Sequence, residues 1–316
     1  MSGRDYSRRV LVVRLSALGD VAILEPVLRQ RATQNPDVLF LVAAPPRLEP
    51  LFRGMENVRY VPTEKRQKPR ELYRQLSALR PDVVADMHHV LRTIGVDWLF
   101  RLRMVPVRCI KKRGGRGLAT WQRYDRVFDR CGLNGTVVAQ DCRSASPTDG
   151  TERVVGVAPF AQHRGKIWPL DRMEQLVAML SARGYRVQLF GSASEKTILE
   201  SWAEKYEKVE SLAGRFDFEE ELERIAMLDV MVSMDSANMH FASCKGVPVV
   251  SIWGATHPCR GFYGWGQKPE WAVQKEMGCR PCSKYGNKPC RFGDYPCLKG
   301  IEPTEVMERI ERVLGR

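Results

Sequence analysis

No apolar run in this chain is long enough to cross a membrane. The longest, around residues 38–46 and 247–255, fall far short of the ~20 residues a spanning helix needs. The opening MSGRDYSRRVLVVRLSALGD carries charge but no apolar h-region, because Arg14 interrupts its first hydrophobic run, so a secretory signal is not expected. No GxGxxG fingerprint occurs, which removes the usual sequence argument for a dinucleotide. No Asp-x-Asp pair occurs, so a carboxylate-held divalent ion is not required to carry the charge of a bound diphosphate. Internal repeats strong enough to use are lacking as well.

What is present describes an ordinary globular protein: 316 residues, 44% hydrophobic and 28% charged, enough for two α/β domains or one large one. Nine cysteines are an odd number, and without an export signal they fit a reduced, cytoplasmic setting free of disulfides. The net charge of +13 calls for an anionic partner or surface. Nucleic acid, an acidic membrane face and a phosphorylated substrate all satisfy it, and charge alone does not choose.

Along the chain, short apolar runs alternate with helical spacing. Strands are expected at residues 10–14, 38–43, 58–61 and 81–86. Helices are expected at 21–32, where Val21, Leu24, Val27, Leu28 and Arg31 fall near helical spacing, in a short piece at 47–52, and ending near Leu79. The polar, turn-rich SASPTDGTE at 144–152 is the expected boundary, giving domains 1–150 and 151–316. The second half repeats the alternation: strands at 153–159 and 186–190, helices at about 170–184, through Trp202, and at 218–227. A further strand starts at Asp229, and an amphipathic helix at 303–314 ends the chain. Such alternation argues for βαβ units and parallel sheets.

Four loops stand at expected strand ends, where open α/β sheets bind ligands. In Ser16-Ala17-Leu18-Gly19-Asp20 the carboxylate of Asp20 sits at a helix start. Taken locally, a helix-capping role worth ~0.3–1 kcal/mol explains it slightly better than chemistry does. In GlnHisArgGlyLysIleTrpPro at 162–169, Arg164 and Lys166 flank a glycine just before a helix, which suits phosphate contact better than a merely solvated basic loop. In Gly191–Glu195, Glu195 could accept from ribose hydroxyls or simply begin a helix. In DVMVSMDSANMHFASCKGVPVVSIWGATHP, the cluster Asp235, Ser236, Asn238 and His240 marks a strand-to-helix turn. A helix N-terminus there is an anion site, although His240 alone could be a satisfied core histidine.

Together these segments resemble the heptosyltransferase family, the ninth family of glycosyltransferases. VLVVRLSALGDVAILEPVL resembles its opening strand and S-x-x-G-D loop, and GVAPFAQHRGKIWPLDRMEQLV is similar to its donor-phosphate loop. VSMDSANMHFASCKGVPVVSIWGATHP resembles its D-[TS]-x-x-x-H-x-A-x-x-x-G-x-P-x-V-x-[IL]-[FW]-G signature. The resemblance implies a GT-B fold, with two Rossmann-like domains facing a central cleft, the acceptor mainly on the first and the nucleotide sugar mainly on the second. It implies inverting transfer of a heptose from an ADP-heptose donor to a lipopolysaccharide core. Asp20 would be the general base, Lys166 would contact donor phosphates, Glu195 would hold the ribose, and Asp235, Ser236 and His240 would frame diphosphate and sugar. Ala237 stands where the family's signature usually has glycine, which restricts how closely backbone approaches phosphate.

On the acceptor side, Asp86-Met87-His88-His89 follows a strand with Arg92 one turn on, where the resemblance implies acceptor contacts through His88, His89 and Arg92. Taken alone that segment lacks enough ligands for zinc. The basic stretches 65–70 and 111–116 suit an anionic lipid-linked sugar or the cytoplasmic face of the inner membrane as well as plain solvation. Cys279, Cys282, Cys290 and Cys297 form a zinc candidate set behind packed, reduced thiols; no other metal or cofactor is expected. A basic, zinc-containing nucleic-acid-binding protein would use the charge and the cysteines but leave the phosphate loops without purpose, so no nucleic acid is expected as a partner. An inactive donor-binding relative is the third alternative, and the presence of Asp20 argues against it.

Overall fold

The computed structural model describes residues 5–64, 66–111, 117–143 and 152–315. The chain forms two compact units, Met1–Val138 and Ala139–Arg316. The division falls before the polar stretch that the sequence suggested, most of which (144–151) lies outside the described residues. Residues just ahead of that stretch already belong to the second unit. The Cys142 and Arg143 amides donate to the carbonyls of Gly266 and Gly246, and the Arg143 guanidinium donates to the Ala226 and Leu228 carbonyls.

In the first unit, β1 (Arg8–Val13), α1 (Leu18–Gln34), β2 (Val38–Ala44), β3 (Val58–Pro62), α2 (Pro69–Ser77), β4 (Val83–Asp86), α3 (Leu91–Leu102), β5 (Val107–Cys109) and α4 (Thr120–Arg130) follow one another. The five strands run parallel in the order β3-β2-β1-β4-β5. A parallel sheet covered on both faces needs continuous apolar strands, and Val10–Val13 and Phe40–Ala44 are buried without interruption. Helix α1 buries Val21, Leu24, Val27 and Leu28 as its spacing predicted, and Arg31 with them. Arg31 is fully buried because its guanidinium donates to Asp125 Oδ1 at 2.7 Å, pairs with Asp129, and reaches the Asn134 and Gly135 carbonyls at 3.0 and 2.7 Å. It ties α1 to α4 and to the turn after it.

In the second unit the elements are β6 (Val154–Ala158), α5 (Leu170–Ala182), β7 (Arg186–Leu189), α6 (Lys196–Lys205), β8 (Val209–Ser211), α7 (Phe218–Ala226), β9 (Val230–Met234), α8 (Ala237–Cys244), β10 (Val249–Trp253), β11 (Ala272–Gln274), α9 (Pro296–Lys299) and α10 (Pro303–Val313). Six parallel strands lie in the order β11-β10-β9-β6-β7-β8. Their apolar faces share one core with α5 and α10 through Trp168, Met173, Leu176, Val306 and Ile310. Trp168 Nε1 and the Arg172 guanidinium both donate to the Ile301 carbonyl, pinning the start of α5 to the approach to α10.

Each sheet reverses its direction of growth once. In the first unit the reversal lies between β1 and β4, and in the second between β6 and β9. Loops leaving two such neighbouring strands diverge to opposite faces and open a crevice at their carboxyl ends, the position at which α/β sheets hold ligands. The loops that follow β1, β4, β6 and β9 carry most of the residues singled out from sequence.

Candidate active site

At the first reversal, Asp20 stands in the first turn of α1. Its Oδ2 accepts from the Ala17 amide at a long 3.4 Å and pairs with Arg14 Nη2 at 2.6 Å. The capping contact is therefore the weaker of the two, and Arg14 sets the carboxylate. Arg14 is held in turn by the Met87 carbonyl at 2.5 Å and lies over the Tyr124 ring. Burial alone would lower the pKa of Arg14, but Tyr124, Asp20 and Asp86 outweigh it and the guanidinium stays charged. The Tyr124 hydroxyl donates to the Asp20 carbonyl, fixing the same turn from behind.

The loop after β4 meets this group through one histidine. His88 Nε2 lies 3.1 Å from Ser16 Oγ. Burial, reinforced by the charge of Arg14, lowers its pKa to about 4, so the imidazole is neutral near pH 7. The loop is folded by Asp86, fully buried at the end of β4, whose carboxylate accepts the His88 amide at 2.8 Å and the His89 amide at 2.9 and 3.0 Å. The turn carries His89 into the left-handed region at φ +48°. His89 Nδ1 lies 3.7 Å from Asp86 Oδ2 and 4.0 Å from Asp97 Oδ2. Arg92 donates to the Glu64 carbonyl at 3.3 Å. Of the three expected acceptor residues, His88 reaches Ser16, and the charge of Arg92 also acts on His88.

At the second reversal, the loop after β6 ends in a short 3-10 turn, Arg164–Lys166, and the loop after β9 begins with Asp235. Lys166 Nζ pairs with Asp235 Oδ2 at 2.8 Å; Lys166 is partly exposed and Asp235 is nearly buried. The pair therefore presents an ammonium held from one side by a carboxylate and open to solvent on the other. Backbone crowding fixes its place. A Cβ on Gly165 would lie 2.7 Å from the Gly286 carbonyl oxygen, and the Ala255 amide donates to the Gly165 carbonyl at 2.8 Å. Gly286, at φ +76°, leaves room for the Lys166 stem, whose Cγ would lie 2.6 Å from any Cβ there. Ser236 precedes α8, its hydroxyl 3.2 Å from that of Ser233. Asn238 is half-buried in the first turn and His240 is buried one turn further in. Arg164 is exposed. Glu195, expected to reach a ribose, accepts the Ser192 amide at 2.6 Å through Oε2 and so also caps the turn after β7.

Several partners carry no local signal in the sequence. Arg14 reads as the end of a strand, and Tyr124 belongs to a helix that the pattern did not announce. Arg280 lies between two cysteines, and its guanidinium donates to the carbonyls of Gly254, Lys275 and Thr256 at 2.5, 2.5 and 3.0 Å, clamping the carboxyl end of β10. Burial, with Cys282, Cys290 and Cys279 close by, raises the pKa of the Cys297 thiol. Among the described residues, the group of His, Cys, Asp and Glu side chains whose ligand atoms all lie within 4.8 Å of one another is Asp86, His89, Asp97 and Cys109, in the other unit. None of the nine cysteines forms a disulfide.

Residues 135–293, half of the chain, match the sequence profile of Glycosyltransferase family 9 (heptosyltransferase). The chain belongs to this family. It is 32% identical over 115 residues to lipooligosaccharide heptosyltransferase 2 of Haemophilus influenzae, covering 34% of this chain and 33% of that protein. It is 23% identical over 168 residues to the Campylobacter jejuni protein of the same name, covering 51% and 52%. The chain thus aligns with a third to about half of the length of these curated relatives. Among solved structures, the family 9 glycosyl transferase of Veillonella parvula superposes with a TM-score of 0.76 at 19% identity, covering 98% of both chains. The Escherichia coli ADP-heptose lps heptosyltransferase II does so with 0.72 at 20%, covering 97% of this chain and 98% of the other. The two parallel-sheet units are the GT-B fold of the family. Both reversal-point clusters lie on that scaffold, with the Lys166–Asp235 pair inside the matched stretch.

Proposed function

We propose that this chain is an inverting glycosyltransferase that moves a heptose or related sugar from an ADP-sugar to a lipopolysaccharide-core acceptor. The observation that carries the reading is the Lys166–Asp235 pair at the second unit's reversal point, together with Asp20 set by Arg14 at the first unit's. Lys166 meets the donor's phosphates, aided by Arg164 and the start of α8; Asp235 orients Lys166, while Ser236, Asn238 and His240 border the sugar and diphosphate. Glu195 holds the ribose with the oxygen that the Ser192 amide leaves free. Asp20 takes the proton of the attacking hydroxyl, and neutral His88 orients the acceptor through Ser16. As the glycosidic bond to ADP breaks, negative charge grows on the diphosphate. An exposed helix N-terminus offsets only ~0.3–1 kcal/mol of it, so the charge-assisted contact from Lys166, ~1.5–3 kcal/mol, is the larger contribution. The family's sequence match and the names of its relatives support the donor and acceptor classes, and disfavour a nucleic-acid-binding role.

The acceptor class also suggests where the chain works: in the cytoplasm, in peripheral contact with the inner membrane. No helix among the described residues is long and apolar enough to cross a membrane. Yet α3 exposes Leu91, Ile94, Trp98 and Leu102 at intervals of three and four residues, and Met104 just beyond, with Arg92 and Arg101 on its flanks. An apolar stripe bordered by arginines suits the interface of an anionic bilayer. The basic stretches read from sequence add less to this, because Lys65 and residues 112–116 lie outside the described residues.

Asp20→Asn is the deciding experiment. It keeps the shape of the turn and removes the base, so transfer from ADP-heptose should fall by roughly 10²–10⁴ while the melting profile holds. An Asp20→Asn protein that melts earlier yet retains specific activity would return Asp20 to a capping role. A wild-type protein that binds ADP-sugar but transfers nothing would support the inactive-relative alternative.

A further inference from the structure

The end of β4 supplies Asp86, the loop after it His89, α3 supplies Asp97, and the end of β5 supplies Cys109. In sequence these residues are scattered over 24 positions, and no pair of them makes a recognisable motif. In the fold one ligand atom from each lies within 4.8 Å of every other. We propose that Asp86, His89, Asp97 and Cys109 bind one zinc ion in a four-coordinate site that is separate from the transfer chemistry.

The geometry comes close to what the ion requires. Zinc bound at ~2.0–2.3 Å by oxygen, nitrogen and sulfur in a tetrahedron sets neighbouring ligand atoms about 3.3–3.8 Å apart. Three of the six edges are 3.7 Å (His89 Nδ1 to Asp86 Oδ2), 4.0 Å (His89 Nδ1 to Asp97 Oδ2) and 3.3 Å (Cys109 Sγ to Asp97 Oδ2). Closing the 4.0 Å edge requires a shift of only tenths of an ångström. The donor set is mixed, two carboxylates with an imidazole and a thiolate, which suits borderline zinc and excludes magnesium or calcium, cations that take oxygen ligands.

The surroundings fit as well. Asp86 and Asp97 are 0% and 2% exposed, so two carboxylates share a dry site, an arrangement that is costly unless a positive charge or proton stands between them. Arg101 Nη2 approaches Cys109 Sγ at 3.5 Å. Two carboxylates and a thiolate are then matched by one divalent ion and one guanidinium. Outer contacts are already made: the His88 and His89 amides hold the Asp86 carboxylate, the kind of support that orients metal ligands elsewhere. With the left-handed backbone at His89, its Nδ1 lies within 4.0 Å of both carboxylates. With four protein ligands the site is closed, so its role is to lock α3 against β4 and β5.

The test uses the full-length protein stripped with a chelator and titrated with Zn²⁺ and Co²⁺. One equivalent should bind, raise the melting temperature, and with Co²⁺ give the near-ultraviolet charge-transfer band of a thiolate ligand. Cys109→Ser should abolish that band, whereas Cys282→Ser should leave it unchanged. If Cys109→Ser fails to fold, His89→Gln at the half-exposed ligand is the second variant, expected to weaken zinc affinity at least tenfold, about 1.4 kcal/mol. The proposal is overturned if no band forms, if the band survives Cys109→Ser but disappears with Cys282→Ser, or if His89→Gln binds zinc as tightly as wild type. None of these outcomes depends on transfer activity, so the site and the proposed function fail separately.

Discussion

Lys166 shows how little freedom a single side chain of the proposed site has in this fold. Its ammonium is positioned by Asp235 and its stem lies against Gly286, which adopts φ +76°. A side chain at Gly286 would bear the left-handed cost of roughly 1–2 kcal/mol and also press on Lys166 Cγ. Gly286→Ala should therefore weaken ADP binding out of proportion to its modest loss of stability, as calorimetry and thermal melting would show together. Equal binding in Gly286→Ala and wild type would mean that the Lys166 stem is not what confines the ammonium. Sequence reading identified Lys166 and Asp235 but not their mutual contact, because an ion pair between two loops has no periodicity. It likewise placed Arg31 among apolar residues of α1 by spacing alone, and the structure explains that position by the carboxylates and carbonyls that enclose its guanidinium.

At the scale of elements, α3 is a piece that the sequence concealed, as it did α4. Strands such as β1 and β2 announce themselves by unbroken apolar runs, and α5 by its clean spacing. The segment LRTIGVDWLFRL has apolar residues on both faces and a glycine in the middle, so no stripe stands out. Its inner face buries Thr93, Val96, Asp97 and Phe100, while its outer face leaves Leu91 90% and Trp98 60% exposed. One helix thus offers Asp97 to the proposed zinc site and an apolar stripe to the proposed membrane surface. Removing Trp98 and Leu102 from a lipid contact should forfeit about 1.5–3 kcal/mol per side chain. Trp98→Glu with Leu102→Glu should accordingly release the protein from vesicles containing anionic lipid by well over tenfold, in a sedimentation assay. The flanking arginines make wild-type binding fall as salt rises. Binding that ignores both the substitutions and the salt would exclude this face.

For the whole molecule, the alternation of apolar runs disclosed two parallel-sheet units, but strand order did not follow from it, since order depends on pairings between distant segments. The reversals between β1 and β4 and between β6 and β9 are what turn four separate loops into two clusters. That division makes the proposed chemistry separable. Asp20 belongs to the unit proposed for the acceptor, so Asp20→Asn should lower kcat and leave ADP affinity untouched. Lys166 belongs to the unit proposed for the donor, and losing its contact of ~1.5–3 kcal/mol should weaken ADP binding about ten- to hundredfold. Its kcat should fall too, because the same ammonium faces the charge that grows on the departing diphosphate. Calorimetric titration of ADP into both variants, beside single-turnover transfer, reads the two effects independently. If Asp20→Asn weakened ADP binding as much as Lys166→Ala does, a base in one unit and a phosphate clamp in the other would be the wrong description of this chain.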